Sequence, residues 1–330
     1  MEVKERIEYI DLAKGICIIL VLFFHIGQYG TRIETSLFFF RMPLYFFISG
    51  LFFKSYNGFK FFIVKKINKL IIPFLFFYFV AILVGFLGDY FFNLYEKGII
   101  NEPFHWTIFF DVFLKLGQGK NIAFNSPIWF LLSLFEVNVI FYLLYSCLEK
   151  KYLLIVSLLI GFIVLEFGIN GLPYFLDLSL KYLPFFTMGF ILKEYLLKTY
   201  RTSSIFTTII LIGLLLYLYY CAGFSREVQN NFFFYYSTGL CGILGVFIIS
   251  KKLTRLPIFS YLGRYSLIVL GFHTFFVGPL HYIYSFQSVI IEHFVILLTI
   301  VMLMYLVVIP FSISFLPYFV AQKDCFSIKQ

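Results

Sequence analysis

Long apolar blocks recur along this chain, separated by short polar stretches. They lie near residues 12–30, 36–53, 70–88, 127–147, 152–168, 180–197, 205–222, 232–249, 260–280 and 288–318. Crossing the hydrocarbon core of a bilayer takes about 20 apolar residues in a helix. The pattern therefore predicts about ten transmembrane helices: an all-α, polytopic integral membrane protein with a single domain over residues 1–330. Pro73, Pro310 and Pro317 lie at or near block boundaries, so the third and last helices are expected to kink or end there. The first block follows Glu2, Glu5, Glu8 and Asp11 and has no small-residue cleavage site, which reads as a retained helix and not a signal peptide. No repeat, no low-complexity linker and no appended extracytoplasmic domain is expected.

Composition strengthens this picture. Residues AVILMFWYC make up 61% of 330 positions and charged residues only 13%, with a mean hydropathy of +0.93. Average usage in soluble domains is nearer half apolar and a quarter charged, so a soluble fold is excluded, as are disordered and disulfide-framework classes. Cys17, Cys147, Cys221, Cys241 and Cys325 have no CxxC spacing. They read as small core hydrophobes, with neither a disulfide framework nor a metal site expected.

The net charge of +9 comes from 26 Lys and Arg against 17 Asp and Glu. Its distribution points to topology and lipid, not nucleic acid. One set of alternate loops holds Lys54, Lys60, Lys65, Lys66 and Lys69, then Lys150 and Lys151, then Lys193, Lys198 and Arg201, then Lys251, Lys252 and Arg255, and finally Lys323 and Lys329. The other loops, 89–126, 169–179, 223–231 and 281–287, are mixed or neutral. This alternation predicts a multi-pass protein of the cell membrane with both termini cytoplasmic. In the long outer loop, Trp106, Phe109, Phe110, Val112, Phe113 and Leu116 have the pattern of an interfacial helix.

Ionisable residues inside the blocks are the candidate chemistry, because each costs about 2.5–3.5 kcal/mol to insert at a helix centre. His25 ends a long apolar stretch. Lys14 lies eleven residues before it, within about 20° of the same helix face and about 16 Å away along the axis. Asp11 is one turn before Lys14 and placed to pair with it. His25 is either functional or a hydrogen-bonding partner for a neighbouring helix; Lys14 is either a ligand group or a snorkelling end residue. Arg41 lies inside the second block, followed by Pro43 and then Ser49-Gly50, which permits close packing. Trp129, Ser133 and Glu136 share a face of the fourth helix, where Glu136 is placed to orient or balance a histidine and Trp129 fits an aromatic belt. Ser266 and His273 share a face of the ninth, Arg264 points elsewhere, and His273 is equally a site residue or a core hydrogen-bonder. His105, His281 and His293 fall in or near outer segments and are expected to be solvated or interfacial. Lys65, Lys66 and Lys69 mark topology and anionic lipid, or hold a polyphosphate ligand.

Several of these residues fall in longer blocks. Tyr9-Ile-Asp-Leu-Ala-Lys14-Gly followed by His25, Arg41-Met-Pro-Leu-Tyr-Phe-Phe-Ile-Ser-Gly50, the basic run into Pro73, Pro127-Ile-Trp129-Phe-Leu-Leu, Leu183-Pro-Phe-Phe-Thr-Met-Gly189 and Leu262-Gly-Arg264-Tyr-Ser266 with His273 resemble the membrane acyltransferase-3 family, in the family's order, from about residue 6 to 275. The resemblance implies an O-acyltransferase that moves an acetyl or similar acyl group from cytosolic acetyl-CoA, with no metal, to a hydroxyl of a cell-surface polysaccharide or lipid-linked sugar. It implies a catalytic His25, with Glu136 or His273 orienting it, and donor phosphates held by Lys14, Lys65, Lys66 and Lys69. Asp11, Arg41, Trp129, Arg264 and Ser266 take orienting places. Many members carry Arg where this chain has Lys14; a lysine meets phosphate as a point charge and not bidentately. His25 is either a general base or a transient acyl carrier. A flippase of glycan precursors, without acyl chemistry, is the competing expectation. The acceptor hydroxyl and the oligomeric state are not marked in the sequence.

Overall fold

The computed structural model describes residues 7–27, 29–97, 114–115, 117–118, 125–197, 204–284 and 286–327. Among them there is no strand, and helices dominate. The interfacial helix expected around Trp106 to Leu116, and His105, lie outside the described residues apart from short fragments.

In chain order the helices are α1 (Glu8–Ile26), α2 (Arg32–Leu51), α3 (Phe59–Lys66), α4 (Ile72–Lys97), α5 (Trp129–Cys147), α6 (Lys150–Glu166), α7 (Leu176–Leu197), α8 (Ser204–Cys221), α9 (Ser225–Asn230), α10 (Phe232–Leu253), α11 (Pro257–Arg264), α12 (Ser266–Phe272), α13 (Thr274–Ile283), α14 (Val289–Leu303) and α15 (Ile309–Phe315). A π turn, Ile67–Ile71, joins α3 to α4, and another, Met304–Val308, joins α14 to α15. Local chemistry starts and bends these elements. Glu8 and Asp11 lie in the first turn of α1, where the helix dipole favours acids. Thr31 caps α2 by accepting from the Glu34 amide at 3.2 Å, while the Glu34 carboxylate reaches back to the Tyr29 and Gly30 amides at 2.8 Å each. This reciprocal arrangement satisfies the exposed donors of a helix start.

Seven helical segments are long and apolar enough to cross a membrane, and α12 with α13, bent by 54° at His273, makes an eighth. The remaining two expected segments are also helices. One is α2, which carries Arg32, Glu34 and Arg41; the other is α6, with 17 residues. End contacts show that both run the full height of the bundle. Phe52, just past α2, lines a cavity with Lys14, while the start of α2 folds back on Tyr29 beyond the far end of α1. Lys150 opens α6 over the ring of Phe190 in the last turns of α7, and Glu166 closes it by accepting from the first amide of α10.

The third segment departs from expectation. It was expected near 70–88, with Lys54 to Lys69 as a loop. Instead the helical run begins at Phe59, carries Lys65, Lys66 and Lys69, and continues to Lys97.

With lipid on the outside, close packing between helices does the work that water exclusion does elsewhere. Two glycine pairs set the tightest crossings. A Cβ on Gly263 of α11 would lie 1.9 Å from the Asp11 carbonyl oxygen of α1, and one on Gly15 would lie 2.0 Å from that of Phe259. On the other side of α2, a Cβ on Gly50 or Gly189 would meet the backbone of α7 or α2 at 1.9 and 2.0 Å. Phe46, Phe47, Phe141, Phe185 and Phe186 fill the centre between α2, α5 and α7.

Candidate active site

The α1–α11 crossing puts Lys14, beside Gly15, next to the start of the bent α12–α13 segment. A cavity of about 440 Å³ opens there, lined by Lys14, Lys65, Lys66, Lys69, Tyr45 and Ser266 among others. The four lysines that the sequence marked for phosphate contact thus converge from two separate segments. The Tyr45 hydroxyl donates to the Lys14 carbonyl at 3.2 Å, bracing the mouth. Two of these ammoniums share one carboxylate. Lys65 lies 2.6 Å and Lys69 3.2 Å from the Asp324 carboxylate, and Lys69 also donates to the Ala321 carbonyl at 2.7 Å. The Lys65 hydrogen bond holds the Asp324 carboxyl below its ordinary range. Lys66 lies over the Phe62 ring at 5.5 Å.

The chain's C-terminal stretch is held under this mouth by Asn68, on the π turn. Its side-chain oxygen accepts from the amides of Cys325 and Phe326, both at 2.9 Å, and its NH2 donates to the Phe326 carbonyl at 2.8 Å. Asn68, Tyr45 and Asp324 were missed in the sequence. Asn68 inside a basic helical run is the one that carried a signal, because a buried amide there needs partners.

At its inner end the cavity reaches Leu270 of α12. The Leu270 carbonyl, with that of Val269, lies 3.0 Å from Nδ1 of His273. Two carbonyls on Nδ1 make it the protonated nitrogen and leave Nε2 with its lone pair. Nε2 is buried and has no hydrogen-bond partner among the described residues. His273 is fully buried at the 54° bend, and its ring lies 5.1 Å from that of His25. The two histidines singled out in the sequence are therefore neighbours.

Arg41 completes this group. Its guanidinium lies between the Phe24 and Phe38 rings, at 4.3 and 4.6 Å, and Phe24 immediately precedes His25 on α1. Nε and Nη1 are buried and lack partners among the described residues. Two donors on a buried cation are costly unless an anionic group meets them.

Glu136 is elsewhere. Its carboxylate accepts from the Ser179 hydroxyl at 2.6 Å, and Ser179 lies 2.8 Å from Ser133. Among the described residues its hydrogen-bond partner is this serine of α7, so Glu136 ties α5 to α7 and is not brought to His25 or His273 by that bond. Trp129 stacks at 6.2 Å on Tyr182, supporting the same contact. Arg264 is exposed, over Tyr265 at 5.2 Å, and does not line the cavity. Asp11 is buried at the α1–α11 crossing, where its carbonyl meets Gly263.

The fold is thus a multi-pass helical bundle with a lysine-lined cavity at one end and, beyond it, the buried His273 beside the part-buried His25. The chain matches the family model for an acyltransferase domain over residues 7–316 and belongs to the acyltransferase-3 family. It is an O-acyltransferase, so the flippase expectation gives way to acyl-transfer chemistry. No curated protein and no solved structure matches it.

Proposed function

We propose that this enzyme moves an acetyl group from cytosolic acetyl-CoA to a hydroxyl of a cell-surface polysaccharide or lipid-linked sugar. The observation that carries this reading is the meeting of Lys14, Lys65, Lys66 and Lys69 around one cavity whose inner wall abuts the helix of His273. CoA is a polyanion with a long thin arm. The lysines meet its phosphates, and the arm follows the cavity towards Leu270. Positive-inside bias puts the lysine end, with both termini, on the cytoplasmic side.

His25 then receives the proton of the acceptor hydroxyl as that oxygen attacks the thioester carbonyl, and the thiolate of CoA leaves and is protonated. His273, with Nδ1 fixed by two carbonyls, positions the His25 ring. The unpartnered donors of Arg41 meet the oxyanion that develops on the carbonyl, where fixed donors in a dry site act most strongly. Exclusion of water by the apolar walls limits thioester hydrolysis.

The test supplies acetyl-CoA labelled in the acetyl group to membranes containing the protein. Label is expected in alkali-labile esters on carbohydrate, with CoA released in equal amount. CoA held but not consumed, or label transferred to lipid or protein alone, overturns the proposed acceptor or the donor.

A further inference from the structure

We propose that His281, Glu292 and His293 form a three-ligand site for a divalent transition-metal ion of the zinc type. The three lie at the end of the bundle opposite the lysines, where α13 and α14 meet the last turn of α1. One ligand atom from each lies within 4.8 Å of the others.

The environment of His281 asks for a cation. Its Nδ1 faces Glu292 Oε1 at 2.9 Å and its Nε2 faces the Ile26 carbonyl at 2.8 Å. Both neighbours are acceptors, yet a neutral imidazole has a single N–H. With Nε2–H donated to the carbonyl, the Nδ1 lone pair points at a carboxylate unless a positive charge sits between them. A backbone carbonyl on the far nitrogen is also the usual support for a metal-bound histidine. Glu292 has outer support too, since its Oε2 accepts from the Phe286 amide at 3.4 Å.

His293 supplies the third donor. Its ring is edge-on to that of His281, 5.3 Å away at 84°, and its Nδ1 is buried without a hydrogen-bond partner among the described residues. The ring fits because residue 27 is glycine: a Cβ there would lie 1.9 Å from His293 Cε1. Two imidazoles and a carboxylate suit zinc, and three protein ligands leave a fourth position open to water. Calcium and magnesium favour all-oxygen sets. Tetrahedral bonds near 2.0–2.1 Å put ligand atoms about 3.4 Å apart, between the 2.9 Å of the His281–Glu292 pair and the 4.8 Å within which all three ligand atoms lie. Side-chain exposures of 31% for His281 and 18% for Glu292 leave the site reachable from solution. A bound ion would clamp α13 to α14 and, through the Ile26 carbonyl, steady the turn that carries His25. This proposal departs from the expectation of no metal and from the solvated or interfacial roles expected for His281 and His293.

The experiment uses the full chain without a polyhistidine tag, stripped with chelator and titrated with Co2+. One Co2+ per chain is expected, with the visible ligand-field absorption of a four-coordinate site, displaced by Zn2+. His293→Ala and Glu292→Gln are each expected to weaken binding at least tenfold, while replacing the exposed Cys147 and Cys325 by Ser leaves it unchanged. Absence of stoichiometric Co2+ binding to the parent protein overturns the proposal, as does a site that survives in His293→Ala. Either result leaves His281 and Glu292 as a hydrogen-bonded pair without a metal. The parent titration needs no variant, so a variant that fails to fold does not blunt the test.

Discussion

Replacing His25 by glutamine separates a chemical role from a packing role. A general base contributes about 10²–10⁴-fold to a rate, which is about 2.7–5.4 kcal/mol of barrier. The packing cost is smaller. The His25 ring contacts His273 at 5.1 Å in a tilted arrangement and is only part-buried. Glutamine has similar volume and keeps a polar end, and volume-conserving swaps cost under about 1.5 kcal/mol. Even if that whole cost fell on the reaction, the loss would stay near tenfold. His25→Gln is therefore expected to lower acetyl transfer by at least a hundredfold, and His25→Ala by as much, with membrane insertion intact because neither replacement adds charge to the helix. The assay is label transfer from acetyl-CoA to glycan by membranes with matched protein levels and saturating donor. Activity of His25→Gln within tenfold of the parent would refute the reasoning and leave His25 as a partner for His273 alone.

Four other outcomes follow from the cavity, its surroundings and the topology. The double change Lys66→Ala, Lys69→Ala is expected to raise the KM for acetyl-CoA tenfold or more at nearly constant kcat, since hydrogen bonds to charged groups are worth about 1.5–3 kcal/mol each and Lys69, 45% exposed, falls below that range; an unchanged KM returns these lysines to topology. Asp324→Asn frees Lys65 and Lys69 and is expected to lower that KM two- to fivefold, in line with about 0.2–1 kcal/mol for exposed pairs. Because the Asp324 carboxyl is held below its ordinary 3.8 by Lys65, its contribution to docking the C-terminal stretch is complete above that pH and is lost only as pH falls through the lower folded value. Hydrogen-exchange protection of the Cys325 and Phe326 amides is the measurement, and loss of protection between pH 7 and 5 would contradict it. Reporter fusions at Gly58 and Gly119 are expected on opposite sides of the membrane, cytoplasmic for Gly58; the same side for both would refute the topology.

Much of this architecture was legible because a bilayer admits few solutions: backbone groups must bond within the helix, so apolar length reads directly as a crossing. The third helix was misplaced at its start because the same rule is blind to lysines that extend a helix while their ammoniums reach the aqueous edge. Lys65, Lys66 and Lys69 were named as ligands but assigned to a loop. For Glu136, periodicity gave the face shared with Ser133 but not the Ser179 contact. Sharing a face with Ser133 and Trp129 is a property of one helix, whereas meeting Ser179 depends on how α5 and α7 cross. Asn68 with Phe326, and His281 with Ile26, are separated by 258 and 255 residues, so nothing local announces them.

The contacts at the helix ends add to what apolarity alone gives, seven or eight spans among the described residues. Lys14 near the start of α1 and Asp324 near the end of the described chain meet around one cavity mouth, through Lys65 and Lys69. Among the described residues, α2 joins the Tyr29 end of α1 to the Lys14 end, and α6 joins Phe190 to the first residue of α10. These two helices therefore run alongside the seven or eight segments that apolarity alone marks. Length and polar content explain why these two escape an apolarity criterion: α6 is short, and α2 carries Arg41, whose guanidinium lies over the ring of Phe24, the residue before His25. The least apolar crossing is thus the one that brings charge to the candidate reaction centre, as expected where an intramembrane cation is retained for function.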